Sequence, residues 1–492
     1  MVNLLELNEQ QQLAAKTIDG PILILAGAGS GKTRTITYKM AYMVQNLRIN
    51  PSYILAVSFT NKAAGEIKER VAKLAGTFYA NKMTLCTFHS LCLNILKKEI
   101  TLLGYRPKFS LYDLSDQMAL IRQALKSYTS ETPNKSFDKN QIQQKISYLK
   151  NNGINAAEFS TSKYFDPQDA YDVCIEHVYK YYMEKMQFFN ALDFDDLLML
   201  TVQLFREHPY KAIEYSTQYR YIMIDEYQDT NGLQFELVLH LTKAHQNLCV
   251  VGDDDQSIYA WRGANVGHIL EFEKHFPKAK IIKLEENYRS TSPILQLANN
   301  VIIQNKKRRN KTLFTSKVGG VIPKMWICED STQQAQNITD EIWKWYKNHY
   351  HLSQVAIIYR SNVLAQEIEE ALRLSNIPYK IIGGQKFFEK KEIKDLISYL
   401  SLIYNTYDEM ALRRILNTPP RGVGAKTLSD FVELSNQRKE SIFTLMEENL
   451  LESEKKLELV HEFCQLIRHM QEYFKTNPLD ESIKYLIEKN SI

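Results

Sequence analysis

One apolar run ending in a glycine-rich turn constrains this chain more than any other feature. Residues 21–26 read Pro-Ile-Leu-Ile-Leu-Ala, and the turn continues through Ala26, Gly27, Ala28, Gly29, Ser30, Gly31, Lys32 and Thr33. A helix-forming stretch opens at Arg34. Strand, small-residue turn and helix in that order let backbone N–H groups and a helix N-terminus cradle phosphates. Lys32 can then reach the β- and γ-phosphates, and the Thr33 hydroxyl can ligate Mg²⁺. The strict pattern asks for glycine where this chain has Ala26. A merely structural glycine turn is the alternative, and the flanking strand and helix argue against it.

Further apolar runs lie at 53–58, 221–224, 248–251 and 355–359. Continuous runs of this length, with helical pattern between them, predict parallel strands covered on both faces and an α/β class with crossover helices. From about 111 to 219 the pattern turns helical and rich in Tyr, Lys and Gln, as an insertion would be. After 387 the strand signals stop and amphipathic helices are expected to 492. A chain of 492 residues predicts about three or four domains. Its 44% hydrophobic and 24% charged content excludes wholesale disorder. A net charge of +4 neither requires nor excludes nucleic acid. The six cysteines form no C-x-x-C pair, which reads as a reduced, cytoplasmic protein. No signal peptide and no membrane span are expected.

The run 221–224 ends in Asp225 and Glu226. A carboxylate at a strand's carboxyl end can hold Mg²⁺, and its neighbour can take a proton from an attacking water. Adjacent acids alone are a weak signal; behind four apolar residues, and paired with a phosphate loop, they are a strong one. After the run 248–251 comes Gly252-Asp-Asp-Asp-Gln256, where the neutral amide of Gln256 can touch a γ-phosphate. Its alternative is an acidic surface turn. Tyr259, Trp261 and Arg262 follow directly and suit base stacking, which tolerates any sequence. Phe59, Thr60 and Asn61, and then Thr87 and His89, offer aromatic and polar groups after two other strands. Each set alone reads more readily as a structural turn; together they suggest a single-stranded nucleic-acid track at the strand ends, where open α/β sheets bind ligands. The basic run 305–311 reads as a solvated surface loop, with phosphate contact as the sharper alternative.

The order of these motifs resembles the UvrD/Rep/PcrA-type DNA helicases, from about Leu7 to Thr427. The resemblance rests on Phe59 to Arg70, Thr87 to Ser90, Asp193 to Leu198, Asp225 to Thr230, Gly252 to Ala264 and Glu286 to Thr291. Ile377 to Gly384 and Phe387 to Asp395 also match, and Arg421 to Thr427 resembles the family's duplex-contacting glycine loop, a weak signal alone, with a plain helix–helix turn as its alternative. It implies that Gln11 reads adenine, that Arg34 and Tyr288 pack near the base, and that Arg289 approaches the γ-phosphate. It also implies P-loop, RecA-like parallel-sheet motor domains with helical insertions. The first motor domain is expected at 1–110 and 210–283, with an insertion at 111–209. The first part of the second is expected at 284–386, with a second, incomplete insertion at 387–492. ATP and Mg²⁺ are the implied cofactors. Single-stranded DNA and single-strand/duplex junctions are the implied partners, along with repair or replication proteins, and movement would run 3′ to 5′.

Two family motifs are not found between Ala425 and Ile492: a T-x-H-x-x-K-G-L-E pattern and a second γ-phosphate arginine. The expectation is therefore an incomplete second motor domain. The competing reading is a truncated, non-motor protein that binds ATP and single strands. A helicase–nuclease subunit and an RNA motor are further alternatives. Nothing in the sequence reads a 2′-hydroxyl, so DNA is preferred by resemblance alone.

Overall fold

The computed structural model describes residues 1–131, 137–382, 390–448 and 454–490. Among them the strands are β1 (Ile22–Ala26), β2 (Ile54–Ser58), β3 (Thr84–Thr87), β4 (Ser110–Leu111), β5 (Ala191–Leu192), β6 (Tyr221–Ile224), β7 (Leu248–Gly252) and β8 (Lys280–Leu284). Six of them form one sheet in the order β3-β2-β6-β7-β1-β8. All its pairings are parallel. β4 and β5 form a separate short pair.

The period-2 alternation of a strand explains why the inner strands β1, β2, β6 and β7 are almost wholly apolar. Leu23, Leu25, Val57 and Val250 enter the core on one face of the sheet. Ile22, Ile24, Ala56 and Val251 enter the core on the other. With both faces covered there is no position for a polar residue until the strand ends. Every polar motif is thus displaced to the carboxyl ends, which a parallel sheet gathers along one edge.

Helices Leu114–Glu131, Lys139–Asn151 and Ala170–Phe188 contribute to a further core around Leu120, Ile146, Val178 and Tyr182. Lys150 is buried there, with Nζ 2.7 Å from Asp193 Oδ2 and 2.6 Å from Asp196 Oδ1. Tyr182 donates its hydroxyl to Asp193 at 2.8 Å. Asp193 and Asp196 also form the capping box of helix Phe194–Glu207. The carboxyl-terminal helices pack around Tyr399, Phe431, Phe463 and Ile467. Their link to β4 and β5 is polar: Asn405 Nδ2 donates to Ser110 Oγ at 3.0 Å and to the Phe189 carbonyl at 3.1 Å, and the Tyr112 hydroxyl donates to Asp408 at 3.0 Å.

By its contacts the chain divides into one unit of residues 1–319 and 395–492, and a second of residues 320–394. In the second unit, helices Ser331–Lys347 and Ala365–Leu374 pack through Ile342, Ile368 and Leu372. The run 355–359, expected as a strand covered on both faces, has no ladder partner among the described residues. Val355, Ile357 and Tyr359 lean on the small core, while Ile358 is 93% exposed. Apolar pattern sets only a local extended preference; a strand also needs a neighbour's N–H and C=O groups, which this run does not meet. The expected motif residues 383–384 and 387–389 lie outside the described residues.

Candidate nucleotide and nucleic-acid site

The phosphate loop joins β1 to helix Lys32–Gln45. Gly29 and Gly31 have φ of 71° and 82°, a region that disfavours any side chain. A Cβ at Gly29 would lie 2.6 Å from Asn287 Nδ2, and one at Gly31 would lie 2.7 Å from Gln11 Nε2. Ala26, by contrast, is the last residue of β1 and fully buried in the sheet core. Its methyl group packs there, so the departure from glycine carries no backbone cost. Gln11 donates Nε2 to the Ser30 carbonyl at 3.0 Å and closes the capping box of helix Glu9–Lys16 with Asn8. Arg34 donates to the Glu6 carbonyl at 2.9 Å. Gly27, Ala28 and Thr33 complete the loop and the helix entry.

Two strands away, β6 delivers the acidic pair. Lys32 Nζ lies 3.0 Å from Glu226 Oε2. Asp225 is buried, and its carboxylate accepts the Glu226 backbone N–H at 3.0 Å. Burial first, then the neighbouring Glu226, pushes the Asp225 carboxyl up to about 6, against the pull of Lys32. Glu226 has φ of 52°, a left-handed backbone that costs energy in a residue with a side chain and turns its carboxylate toward Lys32. Asp225 and Thr33 are hard oxygen donors, and one ammonium against two clustered carboxylates leaves a negative excess that a divalent cation would relieve. The residues present therefore fit Mg²⁺.

Gln228 was not singled out from sequence, yet it connects the two motif turns. Its Nε2 donates to Glu226 Oε2 at 2.9 Å, and its Oε1 accepts the Asp253 N–H at 3.0 Å. Gln256 in turn donates Nε2 to Asp253 Oδ2 at 2.5 Å. Gln256 thus reaches Glu226 through a relay of the Asp253 side chain and backbone N–H and the Gln228 amide. On the other side of the loop, Asn287 is buried and donates to the Ala28 carbonyl at 2.5 Å, while Tyr288 N–H donates to the Gly29 carbonyl at 2.9 Å. The Tyr288 hydroxyl donates to Glu286 at 2.6 Å and accepts from Asn8 at 2.7 Å. Arg289 is exposed, with its Cβ next to Gly29. Asn287 stands within the motif Glu286 to Thr291, but its role is not legible there, because an amide that holds a backbone looks like any surface asparagine.

The aromatic residues cluster at the ends of β2, β3 and β7. Phe59 and Tyr259 stack with ring centroids 4.7 Å apart. Tyr259 and Trp261 are 6.3 Å apart, and the Arg262 guanidinium lies 4.7 Å from the Trp261 ring. Trp261 is 73% exposed, so its ring is available to a ligand. Burial, and next the charge of Arg262, lower the His89 pKa and favour its neutral ring. Phe194, part of the motif Asp193 to Leu198 but given no role from sequence, is 53% exposed and meets His89 edge-on at 6.3 Å. Thr60 and Thr87 have structural roles as well: each caps a helix, accepting from Ala63 N–H at 3.1 Å and Ser90 N–H at 3.2 Å. Asn61 is the exposed first residue of the helix that Thr60 caps.

The basic run 305–311 divides: Asn305, Lys306, Lys307 and Asn310 are exposed, as expected of a solvated surface loop, whereas Arg308, Arg309 and Lys311 fold onto acidic residues. Arg308 holds Asp255 through two nitrogens, Arg309 pairs with Glu273 at 2.8 Å, and Lys311 is buried against Asp253, Asp254 and Asp255. The spacing of these cations along the chain does not show which carboxylates they fold onto.

The UvrD/REP helicase N-terminal domain family matches residues 7–277, and the UvrD-like helicase C-terminal domain family matches residues 282–492. The second match does not support the expectation of an incomplete second motor domain and does not favour the truncated, non-motor reading. Proteins described as "ATP-dependent DNA helicase PcrA" from Staphylococcus epidermidis and Staphylococcus aureus are 41% identical over 442 residues. The match covers 90% of this chain and 60% of each relative, so the chain spans about 60% of their length. No helix among the described residues is long and apolar enough to cross a membrane.

Proposed function

The chain belongs to the UvrD/REP helicase family, and from that premise we propose that it is an ATP-dependent DNA helicase that moves 3′ to 5′ along single-stranded DNA. Its substrates are single strands and their junctions with duplex, and its place is DNA repair or replication in the cytoplasm. The observation that carries this reading is the Lys32–Glu226 contact of 3.0 Å on the same sheet edge as the exposed Trp261 shelf. The reading keeps 1–110 with 210–283 as the first motor domain, 111–209 as its insertion, 284–386 as part of the second motor domain and 387–492 as the second insertion.

Gln11 selects the base, and Tyr288 packs on it with Arg34 nearby. The loop from Ala26 to Thr33 wraps the phosphates. Thr33 and Asp225 would hold Mg²⁺, which would supply neutralisation of phosphate charge. With a triphosphate in the loop, Lys32 turns to phosphate oxygen and gives up its pairing with Glu226. Glu226 is then a base for the attacking water. Gln256 senses the γ-phosphate, and Arg289 stabilises the transition-state charge. The relay from Glu226 through Gln228 and Asp253 leads to Tyr259, Trp261 and Arg262, which hold bases together with Phe59, Thr60, Asn61, Thr87 and His89.

ATP turnover with and without single-stranded DNA tests this, using Glu226→Gln as control. Wild type is expected to be stimulated by DNA and to unwind a 3′-tailed duplex, and the variant to lose about 10²–10⁴ in turnover. DNA-independent turnover, or unwinding only from 5′ tails, overturns the reading.

A further inference from the structure

The turn after β7 carries three consecutive aspartates, Asp253, Asp254 and Asp255, whose carboxylate oxygens lie within 4.8 Å of one another. Such a cluster repels itself, and all the more so where water is thin. The structure fills it with a lysine from sequence well downstream. Lys311 Nζ lies 2.9 Å from Asp253 Oδ1 and 2.7 Å from Asp255 Oδ2, and it also contacts Asp254. Its side chain is 3% exposed. The ammonium's three donors are therefore all used, one on each carboxylate. Arg308 adds a second cation on Asp255, and the Arg309 backbone N–H donates to Asp254 Oδ2 at 2.6 Å. Three negative charges thus meet two positive ones and a backbone donor.

What hangs on the turn decides the consequence. Asp253 accepts from Lys311 through Oδ1 and from Gln256 through Oδ2, and its backbone is tied to Gln228. Gln228 continues to Glu226 and so to Lys32. In the other direction the chain passes within a few residues to Tyr259 and Trp261. The segment that carries Lys311 also reaches the phosphate loop: Leu313 lies against Gly27, and Phe314 exchanges backbone hydrogen bonds with Glu285 and Asn287.

We propose that Lys311 is a positioning residue that holds the β7 turn in one geometry and thereby couples the nucleotide site to the base-stacking shelf. The proposal rests on the helicase reading given above. Without the Lys311 ammonium the three carboxylates separate, the Asp253 carboxylate keeps only Gln256 and the Asp255 N–H of its three partners, and Gln256 and Trp261 lose their shared frame. Lys311 touches neither nucleotide nor DNA. Its loss weakens the response to DNA rather than the capture of ATP.

Amide hydrogen exchange and DNA-stimulated ATP turnover on the full chain test this together. Lys311→Met is expected to speed exchange across residues 253–262 about tenfold or more, against little change in the β1–β2 core. It is expected to raise the oligo(dT) concentration for half-stimulation about tenfold and to lower the stimulated kcat, with the KM for ATP within about twofold. Lys311→Arg should recover most of both, and adding Asp254→Asn to Lys311→Met should recover part by removing one repelling charge. If Lys311→Met does not fold, Arg308→Gln carries the test, with the same direction at about threefold. A folded Lys311→Met with unchanged exchange over 253–262 and unchanged half-stimulation overturns the proposal. So does exchange that rises equally everywhere, which marks a general loss of stability. A wild-type chain indifferent to DNA would instead remove the helicase reading and leave local exchange to judge Lys311.

Discussion

Two acidic turns stand at the carboxyl ends of neighbouring strands, and they are neutralised to different degrees. After β6, Asp225 and Glu226 face a single ammonium, Lys32, and burial together with mutual repulsion raises the Asp225 carboxyl to about 6. After β7, Asp253, Asp254 and Asp255 are filled by Lys311 and Arg308, and against the cost of burial these cations hold Asp255 below its ordinary value. The first turn keeps a charge deficit and a strained Glu226 backbone, two features that cluster at functional sites. The second has its charges satisfied from within and serves as a frame. In the helical region a single ammonium, Lys150, lies between Asp193 and Asp196 in a drier setting, and the Tyr182 hydroxyl and the capping-box N–H groups complete the pairing of those carboxylates.

Removing a cation from a satisfied cluster should therefore cost stability, and removing one from the unsatisfied turn should cost turnover. The largest effect is expected at Lys150. Burial alone would lower its pKa, but Asp193 and Asp196 raise it instead, so Lys150→Met leaves two buried carboxylates uncompensated. Urea unfolding should show a loss of about 3–5 kcal/mol; a loss below about 1 kcal/mol would break the comparison. Next comes Lys32→Ala, with kcat for ATP down about 10²–10³ and the melting temperature nearly unchanged. A folded variant with near-normal turnover would show that the β6 turn is also only a frame. Trp261→Ala follows, with a weakening of oligo(dT) binding by about 1–3 kcal/mol in a fluorescence titration. Unchanged affinity would detach the β7 turn from DNA.

The smallest effect concerns the tie between the turns. His268 Nδ1 lies 3.2 Å from Thr230 Oγ1, and its ring stacks on Phe235 at 4.5 Å. Burial lowers its pKa from 6.5 to about 4. Between those values the unfolded chain binds a proton that the folded chain refuses, so this contribution is lost as pH falls from 6.5 toward 4 and is complete above 6.5. Melting curves of His268→Gln should lose stability less steeply than wild type across that window. Parallel slopes would remove His268 from the account.

Much of the motor-like sheet was legible because strand, turn and helix each leave a local signature. β1, β2, β6 and β7 coincide closely with the apolar runs at 21–26, 53–58, 221–224 and 248–251. β3 and β8 were not anticipated: Thr84–Thr87 and Lys280–Leu284 are short edge strands with polar residues where one side is open. The run 355–359 shows the opposite failure, an apolar signature without a ladder among the described residues. Within the site, Lys32, Asp225 and Glu226 were legible because sheet topology brings strand ends together. Gln228, Asn287 and Phe194 were not, since their importance lies in which distant atom each meets.

The sequence alone determined where the chain must turn and which turns carry charge, because backbone preference and side-chain periodicity act over a few neighbouring residues. Only the tertiary structure decided which charge answers which. Lys311 is more than fifty positions from the aspartates it neutralises, and Lys150 more than forty from Asp193 and Asp196. Coulombic pairing depends on distance in space and on the exclusion of water, and both are set only once the chain has folded.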